Sequence, residues 1–103
     1  MIKKVTVRDC QGRPIEATLI RRLKLKGFEK CKLALTRVSG QVTVTELSTG
    51  AQLAWVWERL NEPNAEKEAV RIAKDKLQEL GMESFQAGVK ATIKRFGGEV
   101  LNS

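Results

Sequence analysis

Arg22-Leu23-Lys24-Leu25-Lys26-Gly27-Phe28-Glu29-Lys30-Cys31-Lys32-Leu33-Ala34-Leu35 is the stretch on which the reading of this chain turns. Charged and apolar residues alternate on both sides of Gly27, which is the period of a half-buried strand and not of a helix. A three-residue turn at Gly27-Phe28-Glu29 would set Leu25 opposite Cys31 and Leu23 opposite Leu33. Two strands are therefore expected, over residues 15–26 and 30–38. In that register Lys24 opposes Lys32 and Lys26 opposes Lys30 on the other face.

The neighbouring segments extend the same pattern. Lys4-Val5-Thr6-Val7-Arg8 alternates at period 2, and Asp9-Cys10-Gln11-Gly12-Arg13-Pro14 is turn chemistry. Ser39-Gly40 is a two-residue hairpin signal that pairs Leu35 with Val44, after which Val42 and Val44 alternate with Thr43 and Thr45. A slip of one residue would invert every face, so the agreement of these registers supports one antiparallel meander. Leu53-Ala54-Trp55-Val56-Trp57-Glu58 admits two readings. As a helix it aligns Leu53, Val56, Trp57 and Leu60 and leaves Trp55 outside. As a fifth strand it puts Leu53, Trp55 and Trp57 on the core face, and the preference of Trp and Val for strands favours this second reading.

The C-terminal third reads as helix. Asn64 suits an N-cap, Glu66 and Glu68 fall in the first turn, and Ala69, Ile72, Ala73, Leu77 and Leu80 recur at helical spacing up to Gly81. A second helix over residues 84–96 aligns Phe85, Val89, Ile93 and Phe96, although Gly88 weakens it by about 1 kcal/mol. The turn at Gly81-Met82-Glu83-Ser84 resembles that of a helix-turn-helix. Against this, Leu77 stands where a small residue is wanted and Lys90 where an apolar one is. The expectation is an α+β fold in one domain over residues 1–103. Its four- or five-stranded antiparallel β-meander would carry two C-terminal helices packed on its apolar face.

Composition narrows the chemistry. The 103 residues contain no histidine and only two cysteines, Cys10 and Cys31. A metal site, a Ser-His or Cys-His nucleophile pair and the usual general base all lack their residues. No phosphate-binding glycine loop is present. The expectation is a non-enzymatic protein without cofactor or metal. Met1-Ile2-Lys3-Lys4 opens on charge, not on an apolar signal segment, and no run approaches a membrane span, so a cytoplasmic location off the membrane is expected.

The net charge of +7 is confined to one half of the chain. Residues 1–50 hold eleven Lys and Arg against four acids, whereas residues 51–103 hold eight of each sign. The meander collects Lys4, Arg8, Arg22, Lys24, Lys26, Lys30 and Lys32 on its outward face, with Thr18, Thr36, Thr43 and Thr45 between them. Directly opposed like charges destabilise a sheet, so an anionic partner would relieve them. The plain alternative is a solvated face whose edge lysines discourage aggregation. Base-stacking aromatics are missing from this reading: only Phe28 at the hairpin tip could serve, and Trp55 only if residues 53–58 are helical.

Arg21 and Arg37 fall on the inward face, as a small anion pocket or as rim residues whose heads reach water or helix glutamates. Taken together, the residues predict a small binding module that contacts nucleic-acid phosphates with weak sequence specificity. The alternative is an interaction module, an inhibitor or adaptor, that binds an acidic protein surface. An open sheet edge would also offer a route to a homodimer.

Overall fold

A computed structural model describes residues 3–102. Five strands, β1 (Lys3–Arg8), β2 (Pro14–Leu23), β3 (Leu33–Val38), β4 (Gln41–Glu46) and β5 (Ala51–Trp57), pair antiparallel in sequence order. A short α1 (Glu58–Asn61) leads to α2 (Ala65–Leu80) and α3 (Met82–Arg95), which pack on the sheet. The α+β expectation and its two C-terminal helices hold, with the meander at five strands. Residues 53–58 are strand as far as Trp57. Among the described residues, no helix is long and apolar enough to cross a membrane.

The hairpins follow their turn residues. Asp9 closes the first turn by accepting the Gln11 and Arg13 backbone N–H groups, each at 2.9 Å. Ser39 and Gly40 both have positive φ, as a two-residue turn matched to strand twist requires. Leu23 opposes Leu33 and Leu35 opposes Val44, as the alternation predicts.

Two bulges change which face several residues occupy. Leu19 pairs with Thr36 while Arg21 pairs with Leu35, leaving Ile20 as an extra residue. Val44 pairs with Ala54 while Thr45 pairs with Gln52, leaving Leu53 as another. A bulge shifts the alternation by one step. Ile15, Ala17 and Leu19 consequently lie on the face opposite to Leu23, and Trp55 and Trp57 lie opposite to the core. Here the expectation is corrected: β5 sends Ala54 and Val56 into the core, with Leu53 partly buried against it, and turns both indoles out.

The sheet thus buries both faces. One carries Leu23, Leu33, Leu35, Val42, Val44, Ala54 and Val56 against Ala65, Ala69, Ala73 and Leu77 of α2 and Phe85 of α3. Alanines at i, i+4 spacing let α2 lie close on the strands. The other face buries Val7, Ala17, Ala34, Thr36, Thr43 and Thr45 with no helix over them, because the sheet curls on itself. Its edges meet where Arg8 N–H donates to the Gly50 carbonyl at 2.8 Å and the Gln52 amide donates to the Arg8 carbonyl at 3.2 Å.

Thr36, Thr43 and Thr45, expected on the outward face, are instead fully buried, with Thr36 Oγ1 2.9 Å from Thr45 Oγ1 and also hydrogen-bonded to Thr43. Asn102 completes the seam by bonding Thr6 N, Thr6 O and Leu47 O, each at 2.8 Å. The edges of the meander are therefore partly occupied within the chain itself.

The two helices run close to their expected limits. α2 ends at Leu80, Gly81 takes φ +85°, and α3 begins at Met82, so a single residue separates them. Asn64 stands at the N-cap of α2 without a side-chain hydrogen bond there. Leu77 points into the core and Lys90 to solvent.

Candidate functional site

The long hairpin that opens the sequence reading is shorter than expected. β2 ends at Leu23 and β3 begins at Leu33, and residues 24–32 form a loop. Phe28 N–H bonds the Leu25 carbonyl at 2.8 Å and Cys31 N–H bonds the Phe28 carbonyl at 3.0 Å, two successive turns in place of strand pairing. The turns bury Leu25 and Phe28, whose ring meets Phe85 edge-to-face at 6.1 Å. Burying one Phe contributes about 1.5–3 kcal/mol, more than the ~0.2–1 kcal/mol of a cross-strand pair. A continued hairpin would also have set lysine against lysine. Phe28 is accordingly not available for stacking, contrary to expectation.

The lysines of the loop are all exposed. Arg22, Lys24, Lys30 and Lys32 line one hollow of about 310 Å³. Lys30 and Lys32 line a second, of about 360 Å³, together with Lys90 and Gln86 of α3. Lys26 is on the other flank, beside Lys74 of α2. The acids that line these hollows, Glu29 and Glu46, bond to backbone and turn groups. Glu29 accepts the Gly27 N–H. Glu46 is buried and caps the β4–β5 turn, accepting Ser48 Oγ at 2.6 Å and Thr49 N–H at 2.8 Å. Among the described residues, none of Arg22, Lys24, Lys26, Lys30 and Lys32 has a carboxylate within ion-pair distance.

The remaining sequence candidates lie elsewhere and are mostly engaged. Lys4 donates to Thr18 Oγ1 at 3.2 Å and lies 3.9 Å from Glu16. Arg8 bonds the Thr49 and Gly12 carbonyls and Glu99, and its guanidinium lies 3.8 Å from the centre of the Phe96 ring. It is a structural clasp between the seam and the end of α3. Arg37 holds Glu58 with two bonds, at 2.8 and 3.1 Å, the helix-glutamate outcome for an inward arginine. Arg21 is exposed opposite Leu35, and neither of these two arginines lines a hollow described here.

A feature the alternation did not indicate lies where the curled sheet stays open. Trp55 and Trp57 are 52% and 46% exposed, with ring centres 5.9 Å apart and planes at 84°. They form one wall of a groove of about 750 Å³. The β1–β2 turn and Thr92, Arg95 and Phe96 at the end of α3 form the other. Asp9 is the acid in the lining, and hydrogen bonds from the Arg13 and Gln11 backbone, with the Arg13 charge, hold its carboxyl below the usual carboxylate range. Residues 53–57 are all apolar, so the sequence carries no signal for the bulge at Leu53 that turns the indoles outward. Comparison of the chain with protein-family models, with curated proteins and with solved structures finds no significant match in any of the three.

Proposed function

We propose that this chain is a non-enzymatic nucleic-acid-binding module whose 24–32 loop, with Arg22 and Lys90, contacts phosphates. The observation that carries this reading is the convergence of Arg22, Lys24, Lys30, Lys32 and Lys90 on two hollows that share Lys30 and Lys32. Both acids lining them, Glu29 and Glu46, bond to backbone or turn groups instead. Phosphates neutralise such a cluster by charge alone, so affinity should depend steeply on salt and little on base sequence. Leu25 and Phe28 anchor the loop from beneath, so the lysines are held by a core contact and not by the ligand.

Titration of single-stranded and duplex DNA and RNA at 50 and 200 mM salt tests the reading. With about four to five phosphate contacts, affinity should fall between the two conditions by about 50- to 130-fold for single strands and about 150- to 500-fold for duplexes. A Lys24/Lys26/Lys30/Lys32→Glu variant should fold and lose binding. Absence of binding at low salt, or undiminished binding by the variant, would overturn the proposal. Binding of an acidic polypeptide in place of every nucleic acid would favour the interaction module instead.

A further inference from the structure

We infer that the groove walled by Trp55 and Trp57 is a stacking site for unpaired bases, so that the ligand of this module is a single strand. The inference rests on the nucleic-acid reading and adds the ligand's strandedness. Folding does not explain the indoles. The inward positions of β5 are filled by Ala54 and Val56, and the curled face beneath is already closed by Thr36, Thr43 and Thr45. Both tryptophans of the chain therefore leave about half their surface in water, on alternate positions of one strand.

The surroundings select the chemistry. The groove volume lies within the roughly 300–1,000 Å³ typical of ligand sites. Gln41 places an amide in its lining, suited to base edges, while the Gln52 amide beside it is held by the Arg8 carbonyl. Arg95 adds an exposed cation for which no ion pair occurs among the described residues, and its guanidinium lies 5.6 Å from the Phe96 ring centre. With Asp9 occupied by its own turn, the groove favours an anionic ligand that carries flat π-faces. A duplex offers only base edges and phosphates, whereas an unpaired strand offers the faces.

Helix α3 joins this groove to the cationic loop. Lys90 lines the hollow beside Lys30 and Lys32, and Arg95 lines the groove. Lys90 and Arg95 are five residues apart on this one helix, about 7.5 Å along its axis, so the loop and the groove are near enough for one short strand to reach both. One strand can thus place phosphates on the loop and bases on the indoles.

Because Trp55 and Trp57 are the only tryptophans, their emission reports the groove directly. A short oligo(dT) single strand should quench it, and a duplex of equal length should quench it far less. Trp55→Ala and Trp57→Ala should each weaken single-strand binding by about 5- to 150-fold. Trp55→Phe should retain most of it, and circular dichroism should show each variant folded. If oligo(dT) binds with the expected salt dependence but leaves emission and the alanine variants' affinity unchanged, the stacking inference fails and the phosphate reading stands. Equal affinity and equal quenching by duplex would also overturn it. If no nucleic acid binds at all, both fall together.

Discussion

The 24–32 loop and strand β5 place their aromatic residues in opposite ways. In the loop, Phe28 turns in against Phe85 and the lysines around it turn out. In β5, Trp55 and Trp57 turn out and Ala54 and Val56 turn in, beneath the alanine stripe of α2. A loop that must hold four like charges near one another needs an anchor, and a large buried ring supplies it. A strand lying close beneath a helix admits small side chains on that side, which leaves the opposite face to carry any large ones. The first arrangement gives fixed charge without stacking surface, and the second gives stacking surface with little charge. The proposed single-strand ligand would use both.

The strongest way to break this comparison is to truncate one aromatic in each region. Phe28→Ala removes a ring that is 6% exposed and should cost about 3–5 kcal/mol, lowering Tm by more than about 12 °C. Trp55→Ala should cost about 1 kcal/mol or less, because half its surface is already in water. Urea unfolding of the two variants beside the parent decides it. Equal losses would mean that Trp55 supports the fold and that the groove is only part of the core.

What the sequence shows of this architecture depends on whether local pattern or tertiary packing is in control. The strand order, the Ser39-Gly40 turn, the Leu23–Leu33 and Leu35–Val44 registers and helix 65–80 follow from period and turn chemistry alone. The faces do not, because Ile20 and Leu53 each add a residue that no periodicity rule announces. The missed strand ends have another cause: alternation in residues 24–26 and 30–32 survives as alternating burial, while Phe28 takes the loop out of the sheet. The basic cluster at 22–32 was legible as charge, and its separation from Lys4 and Arg8 was not. That separation depends on the curl of the sheet, which closes through backbone and Asn102 contacts that no charge pattern encodes.

Glycines sharpen the comparison at a smaller scale. Gly50 has φ +75°, and a Cβ there would fall 2.8 Å from Leu101 Cδ1 and 3.0 Å from the Arg8 nitrogen. Gly50→Ala should therefore destabilise by about 2–3 kcal/mol, combining left-handed strain with a clash against backbone. It should also disturb the groove, since Arg8, Thr49 and Ala51 line one end of it. Gly27 in the loop has φ +86° but open space around it. Gly27→Ala should cost only about 1–2 kcal/mol and leave tryptophan emission unchanged. If the two losses were equal, or if Gly27→Ala altered the emission, the loop and the seam would not be separate units.

The two cysteines give the gentlest probe, since each belongs to one region. Cys10 is exposed at the mouth of the groove. Cys31 is half-buried in the loop, 3.7 Å from the Met82 sulfur. Burial, and to a lesser degree the Glu46 carboxylate, push the Cys31 thiol above its ordinary range. The thiolate is the form that attacks, so iodoacetamide near neutral pH should label Cys10 first and Cys31 slowly. A raised pKa means that Cys31 labelling should go on accelerating with pH beyond the point where an unperturbed thiol levels off. Glu46→Gln removes the smaller of the two causes and should speed Cys31 modestly without changing Cys10. A bound single strand should shield Cys10, whereas a ligand confined to the loop would leave its rate untouched and so separate stacking in the groove from charge on the loop.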